Sequence, residues 1–110
     1  MEIKGYTLHG DYYLSDKILA HTNWEEACEM KEEIILPNGK TVVAHTLSKE
    51  ELETISEEER KCDKWYWTSA TYGNSNDTAW VVDFGGGFNI NYIYCCDNNG
   101  GVRLGFKNPF

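Results

Sequence analysis

Residues 65–106 read WYWTSATYGNSNDTAWVVDFGGGFNINYIYCCDNNGGVRLGF, and no other stretch constrains the fold as strongly. Apolar residues recur at every second position in three runs. These are Trp80, Val82 and Phe84, then Phe88, Ile90, Tyr92 and Tyr94, then Val102, Leu104 and Phe106. Successive strand side chains point to opposite faces, so period-two alternation marks half-buried strands. Gly85-Gly86-Gly87 and the DNNGG run at 97–101 interrupt the pattern with residues suited to tight reversals. The expectation is an antiparallel meander with one face on the core and one in water. A chain of 110 residues forms one domain around it.

The first half carries helix and hairpin signals. His9-Gly10-Asp11 between apolar flanks predicts an N-terminal hairpin or a bent edge strand. Thr22 followed by Glu25 reads as a capping box opening a first helix, with Trp24, Ala27, Cys28 and Lys31 on one stripe. That helix ends before Pro37. Asn38-Gly39 between β-branched runs (IILPNGKTVVA, 34–44) predicts a two-stranded ribbon. Ser48 and Glu51 form a second capping box, with Leu47 and Leu52 as a hydrophobic staple and Leu52 and Ile55 facing inward. Ser56 and Glu59 restart a last helical turn.

The chain carries a net charge of −8, most of it within residues 25–63. Such a chain repels phosphate, which argues against direct binding to nucleic acid or an anionic membrane. No apolar run is long enough to span a membrane, and no secretory signal is visible at the N-terminus. A cytoplasmic or phage-particle setting is therefore the expected one. The cysteines, Cys28, Cys62, Cys95 and Cys96, have no zinc-type spacing. Adjacent Cys95 and Cys96 point to opposite faces of a strand and are badly placed to bridge each other. Cys28 and Cys62 are expected as reduced, core-facing thiols.

Five short motifs occur in a recognisable order: Trp24-Glu25-Glu26-Ala27; Thr46 to Leu52 (TLSKEEL); Trp67-Thr68-Ser69; Ala79 to Phe84 (AWVVDF); and Val102-Arg103. Together they resemble the C-type-lectin-like domain at the C-terminus of Legionella collagen-like proteins, a domain of unknown function. In the second motif Thr-Leu-Ser stands where that family has Leu-Pro-Thr. The resemblance covers residues 22–106. It implies an α+β, C-type-lectin-like fold: two helices packed on a small twisted antiparallel sheet with long loops. It also implies binding rather than catalysis, as in relatives that bind sugars, glycosaminoglycans, proteins or cell surfaces.

The calcium-dependent sugar-binding pattern of that fold is not matched. Leu36-Pro37-Asn38 lies in a hairpin turn, and Trp80 is followed by Val81 and Val82 instead of ligating residues. The formylglycine-generating enzymes, which elaborate the same fold, are larger and have Arg-Gly-Gly-rich surroundings that Cys95 and Cys96 lack. None of His9, His21 and His45 stands in a nucleophilic or acid–base order. No enzyme activity, cofactor or metal is therefore expected.

What remains is a binding surface. Asn89, Asn91, Ile93 and Cys95 oppose the core positions of their strand. With Tyr72, Asn74, Asn76, Asp77, Asn98 and Asn99 they make a neutral face of amides and aromatics suited to adaptable recognition. The resulting expectation is a non-enzymatic recognition module. It binds a protein, or alternatively a surface glycan, through the outer face and loops of the C-terminal sheet. The competing expectation is a stand-alone acidic inhibitor, phage-encoded for instance. It would block a basic groove of a host protein by occlusion through Glu25, Glu26, Glu29, Glu32 and Glu57 to Glu59.

Overall fold

The computed structural model describes residues 2–73, 78–91 and 97–110, with the backbone alone at 91. In chain order, β1 (Tyr6–His9) and β2 (Tyr12–Ser15) form the expected N-terminal hairpin, with Gly10 at φ +61° in its turn. Strand β3 (Ala20–Thr22) runs into helix α1 (Trp24–Glu29). The ribbon follows as β4 (Lys31–Ile35) and β5 (Thr41–Thr46), then α2 (Lys49–Glu53) and α3 (Glu57–Arg60). The meander is β6 (Tyr66–Thr71), β7 (Ala79–Val82) and β8 (Phe88–Asn91). The chain closes with β9 (Gly100–Val102) and β10 (Leu104–Lys107). The protein is thus α+β, and its described residues form three short helices and two largely antiparallel sheets rather than two helices on one sheet.

The caps explain where the helices begin. Ser48 and Glu51 form the capping box read from the sequence, each satisfying the other's backbone amide. Leu47 and Leu52 are both buried in one cluster, as a staple requires. Ser56 accepts from Glu59 N–H and opens α3. The first helix corrects the expected cap by one residue. Asn23, not Thr22, is the N-cap, its Oδ1 accepting from Glu26 N–H at 2.9 Å. Thr22 ends β3 instead and donates its hydroxyl to the Glu26 carboxylate. The helix is also short, because Lys31 already belongs to β4.

The third alternating run does not extend the meander. The sheets have the orders β1-β2-β10-β5-β4 and β3-β9-β6-β7-β8. Strand β9 is inserted beside β6, on the side away from β7, and is parallel to β6 at Tyr66↔Gly101. One residue later the chain enters the other sheet, where β10 pairs with β2 and β5. Local alternation reports which way side chains point but not which strand is the neighbour.

Consecutive residues of β6 and β7 feed opposite clusters, as strand geometry demands. Trp67, Ala79 and Val81 join Tyr6, Tyr13, Ala27, Ala44, Val102, Leu104 and Phe106 in one. Tyr66 and Val82 join Leu14, Leu47, Leu52 and Ile55 in the other. The centre of the second sheet is therefore covered on both faces. This corrects the expectation of a wholly water-facing side: Val81, opposite Asn89, is 6% exposed. Phe84, expected inside, is 71% exposed because the turn after Asp83 ends the alternation.

Gly100 is where this packing is tightest. A Cβ there would lie 2.0 Å from Trp67 Nε1, and the fully buried indole is held by donation to Thr22 O at 2.8 Å. Neither backbone nor ring has room to yield. Gly100→Ala is expected to cost about 3 kcal/mol, lowering the thermal midpoint by roughly 10 °C or more in a circular-dichroism melt. An unchanged midpoint would show that the approach of β9 to Trp67 is looser than described.

Candidate recognition site

The β7–β8 turn is built around Asp83. Its N–H donates to Gly87 O at 2.8 Å and its carbonyl accepts from Gly86 N–H at 2.9 Å. Its carboxylate accepts from Gly85 N–H at 2.9 Å, Gly87 N–H at 3.0 Å and Asn89 Nδ2 at 3.3 Å. An Asp side chain bonding forward to the backbone defines this kind of turn, and glycines allow it. Gly86 has φ +88°, and a Cβ there would fall 2.1 Å from Glu57 O. The turn thus rests directly on the backbone at the start of α3. Arg60 adds a clamp, donating from Nε to Gly86 O at 2.8 Å. The result is a rigid turn that holds Phe84 out into solvent.

Beside Phe84 stands Trp65, half-buried, with its ring edge-on to buried Trp67 at 5.1 Å. These two aromatics border two open depressions. The larger, about 710 Å³, is completed by His21, Asp63, Lys64 and Asn99. The smaller, about 400 Å³, is completed by Val81, Asp83, Asn89, Ile90 and Asp97. The rim is tied together locally. His21 Nδ1 lies 3.2 Å from Asn99 O, and Asn99 N–H donates to Asp97 Oδ1 at 2.9 Å. Flat apolar rings bordered by amides, carboxylates and an imidazole offer contact area from the rings and direction from the polar groups.

Of the residues expected to bind, Asn89 and Asn99 meet at this site, one in each depression. Asn98 is exposed beside them but lines neither. Tyr72 is 47% exposed but belongs elsewhere. Its ring meets Trp80 at 5.3 Å, and Lys49 Nζ sits 4.8 Å over Trp80. The register pairs Trp80 with Ile90 and Val81 with Asn89, so Tyr72 and Asn89 serve opposite faces. Asn91 pairs with Ala79 through its backbone, and its side chain lies outside the described residues. Asn74, Asn76 and Asp77 also lie outside them, as do Tyr92, Ile93, Tyr94, Cys95 and Cys96. Trp65, Phe84, His21 and Asp97 were not singled out by sequence. The available signal was Asp83 ahead of Phe84 and three glycines, a turn that ejects the aromatic.

Among the other titratable groups, one pair ties two segments together. His9 pairs with Glu59 at 2.7 Å, and this bond holds the Glu59 carboxyl below its usual range. Among the described residues no three His, Cys, Asp or Glu side chains cluster to hold a metal. Cys28 and Cys62 are free thiols. Burial first, and Glu29 second, push the Cys28 thiol up to about 11 from 9.0. A value raised in the folded state leaves stability independent of this group below pH 9 and lowers it from there through about 11. The reactive species is the thiolate. Cys28 is therefore expected to resist iodoacetamide at pH 7.5 in the folded chain and to react on unfolding, as read by peptide mass mapping. Rapid labelling of the folded protein would contradict its half-buried setting.

Among the described residues no helix is long and apolar enough to cross a membrane. No family model, curated protein or solved structure matches the chain.

Proposed function

We propose that this chain is a non-enzymatic recognition module with a C-type-lectin-like arrangement, binding a protein through the Trp65–Phe84 surface. The observation that carries the reading is Phe84, 71% exposed on a turn fixed by Asp83, Gly86 and Arg60. Exposing a large aromatic wastes its burial free energy unless something covers it. Holding it rigid removes the ordering cost that a mobile side chain would add on binding. Buried aromatic anchors surrounded by polar rims dominate protein interfaces, and Trp65 and Phe84 with their amide and carboxylate border have that composition. What supports the fold part of the reading is that the capped helices α1 and α2 both contact β6, in the motif order described above.

A surface glycan is the other occupant that such rings and amides suit, and the experiment separates the two. The immobilised chain is exposed to envelope and lysate fractions with and without protease treatment, and with and without chelator. Protein binding is expected to vanish after proteolysis and to ignore the chelator. Affinity for the captured protein is expected to fall by roughly 30-fold on Phe84→Ala, about 2 kcal/mol. The thermal midpoint is expected to move by no more than about 4 °C, as for a surface change. Unchanged affinity would remove Phe84 from the interface, and protease-resistant binding would assign a glycan.

The occlusion reading has exposed Glu25, Glu26, Glu29, Glu32, Glu57 and Glu58 in its favour. Several acids of the run already have partners: Glu26 accepts from Thr22 and Glu32 from Tyr6, Glu51 caps α2, Glu53 pairs with Lys49, Glu58 with Lys61 and Glu59 with His9. Binding through this acidic surface would weaken steeply with salt, whereas binding through Trp65 and Phe84 is expected to change little.

A further inference from the structure

Among the described residues the two sheets have four edges, and three of them are blunted along at least part of their length. Strand β4 carries Lys31, Glu32 and Glu33, β3 has only three residues, and the start of β1 is bridged by Ile3↔Tyr6. Charge, shortness and covering are the usual protections of an edge. Strand β8 reads Phe88-Asn89-Ile90-Asn91, with no charge, no proline and a regular register to β7. The ladder geometry fixes which of its backbone groups are unused. Asp83 N–H donates to Gly87 O, and the register continues Val82↔Phe88, Val81↔Asn89, Trp80↔Ile90. Antiparallel pairs alternate between bonded and non-bonded, so Asn89 bonds to Val81 while Phe88 and Ile90 turn their N–H and C=O groups away from β7. Among the described residues nothing pairs with that side.

We infer that the outer edge of β8 takes up an extended segment of a partner protein as an added strand, one alternating apolar and basic side chains. This deepens the recognition reading above and rests on it for the Trp65–Phe84 surface that the added strand would border. Main-chain bonds to Phe88 and Ile90 would supply affinity, and alternate side chains would supply selectivity. A residue opposite Asn89 shares its face, where Asp83 and Asp97 line the same depression. Two carboxylates there favour a cation, as does a chain of net charge −8. Residues opposite Phe88 and Ile90 fall on the other face, beside two half-buried apolar side chains, and there an apolar side chain fits.

The test is amide hydrogen exchange on the full chain, followed by NMR, with a synthetic ten-residue Val-Lys repeat as probe. In the free protein Phe88 and Ile90 amides are expected to exchange about a hundredfold faster than those of Val81 and Asn89. Adding the Val-Lys peptide is expected to protect both. The same peptide N-methylated at alternate residues is expected not to, and a Val-Glu repeat is expected to bind at least about tenfold more weakly. Ile90→Pro removes an outward N–H without touching a ladder bond, so it should weaken the peptide about tenfold or more while Ile90→Ala does not. Should the proline variant fail to fold, the exchange data on the unaltered chain decide alone. Four results overturn the inference: protection of Phe88 and Ile90 in the free chain, protection that grows with protein concentration without peptide, equal binding of the N-methylated peptide, or no binding of the Val-Lys repeat at millimolar concentration. The second of these would assign a second copy of this chain. Loss of peptide binding in Ile90→Pro but not in Phe84→Ala would keep strand addition and remove the aromatic surface from the interface; the reverse pattern would do the opposite.

Discussion

The buried guanidinium of Arg103 is the joint on which the two sheets depend. It lies between β9 and β10, where the chain passes from one sheet to the other. Nε donates to Ser15 O at 2.9 Å, and Nη1 donates to Arg60 O at 3.2 Å and to Tyr66 Oη at 3.3 Å. One side chain therefore ties β2, the end of α3 and β6 to the C-terminal segment. The planar guanidinium can reach several oxygens in fixed directions, which a lysine ammonium on its flexible stem does less well. Among the described residues neither Arg103 nor Arg60 pairs with a carboxylate. Burying a charge this way is costly, and main-chain carbonyls with the Tyr66 ring beneath Arg103 at 5.0 Å offset the loss of water. Tyr66 in turn donates to Arg60 O at 2.7 Å, and burial pushes its phenol up to about 12.

The second arginine extends this network to the Trp65–Phe84 surface. Arg60 donates to Leu52 O at 3.3 Å in the last turn of α2, to Ile55 O at 2.8 Å just beyond that helix, and to Gly86 O in the β7–β8 turn. The chain of bonds runs from Ser15 through Arg103, Arg60 and Gly86 to the loop that presents Phe84. The exposed aromatic is held by the same interior contacts that hold the sheets together.

Local signals in the sequence were legible where local physics decides. Ser48 with Glu51, Asn38-Gly39 and His9-Gly10-Asp11 each placed an element correctly, because caps and tight turns involve neighbours in the chain. The alternation of Val102, Leu104 and Phe106 correctly marked buried strand positions. It was silent on partners: β9 beside β6 and β10 beside β2 are choices made across more than thirty residues. The site was half legible. Asn89 and Asn99 stood out by type, but Tyr72 was grouped with them although its ring goes to Trp80. Period-two alternation places Phe84 inward, but the Asp83 side chain bonds to the backbone of the turn and the strand has already ended at Val82.

The position of the last two strands bears on how the molecule is made. Strand β10 is the central member of its sheet, between β2 and β5, and β9 joins β3 to β6 in the other. A nascent chain emerging from the ribosome can form its hairpins and the β6–β7–β8 meander early, yet neither sheet can close until residues 100–107 arrive. Pairings such as Leu14 with Gly105 span about ninety positions, the kind of contact that slows folding. During that interval Tyr6, Tyr13 and Trp67 lack the cover of Val102, Leu104 and Phe106, and partly assembled sheets with uncovered apolar surface are the species chaperones intercept.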